Sequence, residues 1–338
     1  MVSERSLEVL RVIVQDYVAN REPVGSKTIV ERHSFGVSAA TIRNDMAQLE
    51  EEELIAAPHT SSGRVPTDKG YRLFVDHLSE LRPLSSAQRH AIEAFLGASA
   101  DLDDVLARTV RLLSQLTHQV ALVQYPSRHQ ARVRHVELVS LAPRRLMSVA
   151  IFDSGQVEQR VIETPADVDA STLADFRAVV NSVVVDRGLL DAAAALDVLA
   201  AADARDGVES SILATLQEQF AANRQEKLII AGAANLVRTE EDFRGSILPV
   251  LEAVEEQVTL LRLFSEMEAD QRGVSVSIGR ENESFGLGET SVLASGYSGS
   301  GSAVSRLGVL GPLRMDYSSN ISAVRAVARY LTRLLGEA

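Results

Sequence analysis

The sequence predicts a multidomain α+β protein, and three observations carry that reading. Residues 1–82 hold three short amphipathic helical patterns, followed by strand-length segments around a polar loop. Strand-like runs rich in Val, Leu and Ile recur at 120–162 and again at 227–310. Between them lies an Ala-rich block, 171–224, with helical periodicity and breaks near Gly188 and Gly207. A sheet-forming region interrupted by a helical block is the pattern of one domain inserted into another. The chain's 338 residues suit about two domains, and 46% hydrophobic content is that of a folded globular protein.

In residues 4–19, Leu7, Leu10, Val14, Tyr17 and Val18 fall at helical spacing, with Ser3 placed to cap. Glu22-Pro23-Val24-Gly25 is a turn, because Pro and Gly both disfavour helix continuation. Ser26 can cap a short second helix running to about Arg32. His33 to Gly36 then turn the chain, and Ser38 caps a third helix. Three helices with so short a second link are the helix-turn-helix arrangement.

Place Ile42 at the centre of the third helix's inner face. Ala39, Asp45, Met46, Leu49 and Glu53 then fall on or near that face, whereas Ala40, Arg43, Asn44, Ala47 and Glu51 point outward, with Thr41 and Gln48 on the flank. Small residues permit close approach to a groove, and Arg and Asn have the geometry for bidentate contacts to guanine and adenine edges. Residues 37–67 therefore read as a DNA-recognition helix, a strand at Leu54–Ala57 and a wing whose polar loop runs from Pro58 to Pro66. A fourth helix starts at Thr67 or Asp68 and packs Tyr71, Phe74, Val75 and Leu78. Leu81 to Ser86 form the boundary of this winged helix-turn-helix domain.

The candidate DNA contacts are Ser38, Ala40, Thr41, Arg43, Asn44 and Gln48 of the helix, His59 and Arg64 of the wing, and Lys69 and Arg72 of the fourth helix. Ser38 and the first helical amides can also face a phosphate. Arg64 is a phosphate or minor-groove candidate, His59 shapes the wing, and Lys69 and Arg72 are phosphate neighbours. Asp45 is expected to pair with a basic side chain or to cap a backbone group. Charge limits how binding can work. The net charge is −12, and residues 1–82 set ten Lys and Arg against thirteen Asp and Glu. No broadly basic surface exists, so affinity must come from a few placed cations and backbone amides.

Farther along, Leu102, Val105, Leu106, Leu112, Leu113, Leu116 and Val120 describe a long helix from about Asp101. Strands are predicted at Val120–Tyr125, Val133–Leu141, Leu146–Phe152 and Val157–Ile162, with Asp153-Ser154-Gly155 as a hairpin turn. Lys227–Ala231, Val274–Gly279, Ser291–Ala294 and Ser305–Leu310 continue the strands. Glu240–Ala269 is helical with breaks near Gly245 and Pro249, and Ile321–Leu335 closes the chain as a helix.

Enzyme signals are poor. The chain has no cysteine, which excludes disulfides, thiol nucleophiles and Cys-ligated zinc. His135-Val136-Glu137 is similar to a deaminase motif that requires those cysteines. The seven His show no metal-ligand spacing, and Gly296 to Gly301 lacks the final Gly of a nucleophile elbow. No cofactor or metal is expected. With no apolar run of about 18 residues and no charged-then-apolar leader, the chain reads as soluble and cytoplasmic.

Several stretches resemble the HrcA family, the bacterial heat-inducible transcription repressors. They are EPVGSKTI from Glu22, VSAATIRNDMAQLE from Val37, PHTSSGRVPTDKGYR from Pro58 and FVDHL from Phe74, together with Ile278–Asn282 and Leu310–Tyr317. Ser62 and Val65 stand where the family pattern has Ala and Ile, and Glu52-Glu53 replaces a Gly-containing turn. The resemblance implies a GAF-like regulatory domain over 84–162 and 226–338, interrupted by an inserted, mostly helical dimerisation domain over 163–225. It also implies a homodimer on an inverted-repeat operator, the CIRCE element, upstream of chaperone operons, and assistance from a GroEL-type chaperonin. Pairing suits a single short recognition helix, since a dimer sets two heads about 34–36 Å apart or a multiple. Two rival readings are a regulator whose GAF-like domain binds a small ligand, and an enzyme with an accessory DNA-binding head.

Overall fold

Three of the first four helices start where the sequence supplies a side-chain acceptor for their free amides. In the computed structural model, which describes residues 2–59, 62–78, 84–96, 101–126, 132–153, 155, 157–201, 207–222, 227–243, 245–267, 273–298 and 304–336, α1 (Glu4–Asn20) is capped by Ser3, whose Oγ accepts from the Ser6 amide. Helix α2 (Ser26–Arg32) has Gly25, not Ser26, at its cap position and gains no side-chain cap bond. Ser38 caps α3 (Ala39–Glu51), and Thr67 caps α4 (Asp68–Asp76).

Strand β1 (Ile55–Ala56) pairs antiparallel with β2 (Val65–Pro66), Ile55 lying opposite Pro66. Val24 adds a rung that the sequence did not reveal. It exchanges both backbone hydrogen bonds with Arg64 at 2.9 Å. That approach needs Gly63, where a Cβ would lie 2.6 Å from the Pro23 carbonyl. Val9, Leu10, Ile13, Ile29, Ile42, Leu49, Ile55 and Tyr71 are buried beneath these elements, each side chain contributing on the order of 2 kcal/mol of hydrophobic stabilisation. The tip of the polar loop (60–61) and part of the expected boundary (79–83) lie outside the described residues.

Helices α5 (Ser86–Leu96) and α6 (Leu102–Thr117) lead into a five-stranded sheet. Its order is β7 (Leu228–Ala231), β3 (Val120–Gln124), β10 (Ser305–Pro312), β9 (Thr290–Tyr297), β8 (Val274–Ile278). Leu307 lies opposite Val123 and Val309 opposite Ala121, and both rows are buried. The alternate face presents Val120, Leu122, Val292, Ala294 and Leu310 to a core shared with α10 (Ala234–Arg238), α11 (Leu248–Glu256) and α12 (Val258–Glu266). Pro249 does not break this helical stretch. It sits in the first turn of α11, where no amide is required; the expected break near Gly245 is present at 245–247, and a second falls at Gln257, whose φ is +58°. Short 3₁₀ segments run over Glu240–Asp242 and Gly279–Phe285, and α13 (Tyr317–Gly336) ends the described chain.

A separate antiparallel sheet is formed by β4 (Val133–Ala142), β5 (Arg145–Phe152) and β6 (Val157–Glu163). Its inward residues Val136, Leu138, Leu146, Ala150 and Ile162 share one core with α7 (Ala170–Val184), α8 (Leu189–Ala201) and α9 (Gly207–Ala222). The chain thus divides into two compact units. One comprises Met1–Val123, Leu228–Gly296 and Arg306–Leu331, the other Gln124–Lys227, Tyr297–Ser305 and Thr332–Ala338. The sequence reading grouped residues 133–162 with the regulatory sheet and began the insertion at 163, whereas these strands lie with the helical block. Alternation marks a strand but not the sheet it joins, and the apolar partners of these strands are in α7–α9.

Candidate nucleic-acid interface

The period of 3.6 residues decides which side of α3 is free. Ile42, Asp45, Met46 and Leu49 are buried, while Ser38, Ala40, Arg43, Asn44, Ala47 and Glu51 are exposed. The Ser38 Oγ accepts from the Thr41 amide at 3.3 Å and lies 3.1 Å from the Thr41 hydroxyl. Two bonds hold the inner face at fixed depth. Asp45 takes a two-pronged contact from Arg5, at 2.8 and 3.1 Å. Ser6 donates to the Gln48 side chain at 3.2 Å, so Gln48 is turned toward α1. Among the described residues, Arg43 and Asn44 have no side-chain hydrogen bond or ion pair.

The other candidate contacts are all engaged within the protein except His59. Arg64 pairs with Glu50 through Nε at 3.0 Å and Nη2 at 2.8 Å, and donates to the Ser62 carbonyl. Lys69 donates to the Glu52 carbonyl at 2.7 Å, capping the end of α3. His59 is exposed, and its backbone exchanges two hydrogen bonds with the Ser62 hydroxyl. Gathered on one side are therefore an open helix N-terminus, two unpaired side chains with bidentate capacity, and an adjacent ribbon. Among the described residues no three acidic or His side chains are grouped to hold a metal ion.

The family model described as HrcA protein C terminal domain matches residues 103–321. The "Heat-inducible transcription repressor HrcA" of Clavibacter michiganensis subsp. michiganensis is 68% identical over 339 residues, covering 100% of both chains. The chain belongs to the HrcA family of heat-inducible transcription repressors. The repressor of the same name from Leifsonia xyli subsp. xyli is 67% identical, again over 100% of both chains. A solved crystal structure of a hypothetical protein, 25% identical, covers 100% of this chain and 99% of its own length with a TM-score of 0.68. HrcA is a family of transcription repressors and not of enzymes.

In this HrcA chain Arg72 takes a place that the sequence did not suggest. Its Nε and Nη2 fork onto Glu281 at 2.8 and 2.6 Å, Nη2 also donates to the Val276 carbonyl, and Nη1 reaches Asp76 at 3.4 Å. Arg314 makes a second fork onto Asp242, with Nη2 to Oδ2 at 2.8 Å, and its Nη1 donates to the Val18 carbonyl. Between the forks the Tyr71 and Tyr317 rings lie 5.6 Å apart. Burial, followed by the neighbouring Tyr317, pushes the Tyr71 hydroxyl well above the ordinary tyrosine range. Among the described residues that hydroxyl has no hydrogen-bond partner. It adjoins a cleft of about 460 Å³ lined by Tyr17, Asp242, Arg280, Glu289 and Arg314.

Proposed function

We propose that this chain is a cytoplasmic, homodimeric DNA-binding repressor that reads an inverted-repeat operator of the CIRCE type with a winged helix-turn-helix head, residues 2–78. In this reading α3 enters the major groove N-terminus first. Arg43 and Asn44 contact base edges, while Ala40 and Thr41 allow close approach. Ser38, His59 and Arg64 lie near the backbone. The observation that carries it is the unpaired, exposed Arg43–Asn44 pair on a helix whose inner face is pinned by Arg5 and Ser6. Bidentate Arg–guanine and Asn–adenine contacts are the commonest means of specific major-groove reading. Membership in a family of transcription repressors supports the same reading.

Pairing is supported by the second unit. On the sheet face away from its helical core, Val139, Met147 and Val161 form one cross-strand row, with Ile151 opposite Val157 beyond the intervening Glu137–Val149–Gln159 row. Val139, Val157 and Val161 are exposed. An apolar row on an otherwise complete sheet suits a second copy of the same face. The five-stranded sheet and its helices then serve as the GAF-like regulatory domain, and Gln124–Lys227 as the inserted dimerisation domain. Control belongs to a GroEL-type chaperonin that maintains the binding-competent dimer, so that heat-diverted chaperonin releases chaperone operons.

Footprinting on an inverted repeat and on a single half-site, before and after a heat cycle and with or without chaperonin, tests the reading. The expected result is protection of both half-sites, lost on heating and recovered with chaperonin. Equal affinity for random duplex would overturn the DNA-reading assignment. Full recovery without chaperonin would overturn the control step.

A further inference from the structure

The two C-terminal stretches that carry the family resemblance, Ile278–Asn282 and Leu310–Tyr317, have no part in the reading of DNA. Both line one seam, where the winged helix meets the five-stranded sheet within the first unit. At one end Gly279 is left-handed with φ +55°, and a Cβ there would lie 2.2 Å from Asp68 Oδ2. The next amide, Arg280, donates to that carboxylate at 3.2 Å, and Glu281 receives the Arg72 fork. At the other end Arg314 reaches from the sheet to Asp242 and to the Val18 carbonyl in the last turn of α1. Arg21, the residue that ends α1, bonds to Glu241 and Asp242 at 3.2 Å. The side chains of Asp242 and Arg314 are only 5% and 13% exposed.

The Arg72 fork thus crosses the seam from the head, while Arg314, held by its own fork onto Asp242, crosses from the other side with one bond to the Val18 carbonyl. A guanidinium paired through two nitrogens fixes a plane as well as a distance, so the Arg72 fork at one end, the Arg21 and Arg314 bonds at the other and a tyrosine contact between them restrain the head's angle. The exposed face of α3 takes no part in the seam, and Arg43 and Asn44 stay open while it is closed. We propose that Arg72 and Arg314 are positioning residues that clamp the winged helix to the sheet, so that head and sheet engage DNA as one rigid piece. The proposal rests on the DNA-binding reading above. Its consequence is avidity. A head swinging on a tether still binds its half-site, but the effective concentration of the second head at the second half-site falls.

Charge reversal separates this clamp from a phosphate contact by Arg72. R72E and E281R are each expected to weaken binding to a two-half-site operator by about tenfold. Affinity for one half-site should change by less than about threefold, and R72E/E281R should regain most of the loss. No recovery in the double variant, with a salt slope lower by about one, would make Arg72 a phosphate contact and overturn the clamp. Equal loss on the single half-site would overturn it as well.

A thiol pair gives a second measurement, because the chain has no cysteine of its own. In D68C/G279C the new Cβ at 279 would lie 3.2 Å from the Cβ of residue 68, close to the spacing of a disulfide. The oxidised protein should bind the operator within about threefold of the reduced form. Failure of the thiols to join, or loss of binding on oxidation with recovery in reductant, would overturn the clamp. If the unmodified protein itself fails to bind an operator, the DNA-binding reading fails instead.

Discussion

Arg43 and Arg72 belong to the same small head, yet the chain surrounds them differently. Arg72 makes four hydrogen bonds, to Glu281, Val276 and Asp76. Arg43, exposed on α3, makes no side-chain hydrogen bond among the described residues. In a protein with 46 Asp and Glu, an arginine left without a carboxylate is informative. The four consecutive acids Glu50–Glu53 follow Arg43 in the chain, and Glu50 among them pairs with Arg64. The comparison teaches that cation type and helix position are insufficient to assign a DNA contact. What separates a reading group from a structural one is the partner it already has.

The largest effect should come from breaking the seam. Asp242→Ala leaves Arg314 poorly solvated with its fork unmatched, and stranding one partner of a buried pair costs about 3 kcal/mol or more. Chemical denaturation at neutral pH should register that loss in the midpoint. A loss below about 1 kcal/mol would mean that water screens the pair as it does at a surface, and the contrast with Arg43 would weaken. Arg43→Ala should behave in the opposite way. Its midpoint should not move, since nothing in the protein holds the side chain. Specific operator binding should fall by about 1–3 kcal/mol, with relaxed discrimination at one base. An equal fall on random duplex would turn Arg43 into a phosphate contact.

Much of the exposed face of α3 was legible because helical period is a geometric constant. Once Ile42 is placed inward, Arg43 and Asn44 must face outward and Asp45 inward, and Asp45 indeed finds a basic partner in Arg5. Partners across long sequence separations were not legible. Arg72 and Glu281 are 209 residues apart, and no local pattern joins them. Helix α5 was missed for a different reason. Only Ile92 and Leu96 are buried in it while Phe95 is exposed, so its apolar residues draw no stripe. The Gly279–Phe285 segment is likewise held by individual side-chain bonds, such as that from the Ile278 amide to Glu281 and those of Asn282 to Ser277 and Thr290, and by a left-handed glycine, none of which is periodic. Strands were visible by alternation, but the sheet that β4–β6 join depends on which helices cover them.

Between the reading helix and the seam lies Glu53, left-handed with φ +58°, where the family pattern has a Gly-containing turn. An L-residue there costs roughly 1 kcal/mol that glycine avoids, offset in part by glycine's greater freedom when unfolded. Glu53→Gly should therefore raise stability by several tenths of a kcal/mol. The Thr67 hydroxyl bond to the residue-53 carbonyl is retained, because it uses only backbone at that position. A lower midpoint would show that the Glu53 side chain does more for the turn than its backbone strain takes away.

The finest test of the seam concerns its two tyrosines, where the informative result is a difference between two similar variants. Tyr317 places its hydroxyl 2.7 Å from the Ser291 hydroxyl and donates to the Leu313 carbonyl at 2.8 Å, whereas the Tyr71 hydroxyl is buried with no partner among the described residues. A buried polar group without a hydrogen bond carries its desolvation cost uncompensated, about 1–3 kcal/mol, while removing a bonded one loses about 1 kcal/mol per bond. Tyr317→Phe should thus destabilise by about 1–2 kcal/mol, and Tyr71→Phe should be neutral or slightly stabilising. Both substitutions keep the ring and its packing, so the difference reports the hydroxyls alone. Should Tyr71→Phe cost as much as Tyr317→Phe, a water in the adjoining cleft must complete the Tyr71 hydrogen bond. The seam would then be a hydrated contact, with weaker purchase on the angle of the head than direct packing of the two rings provides.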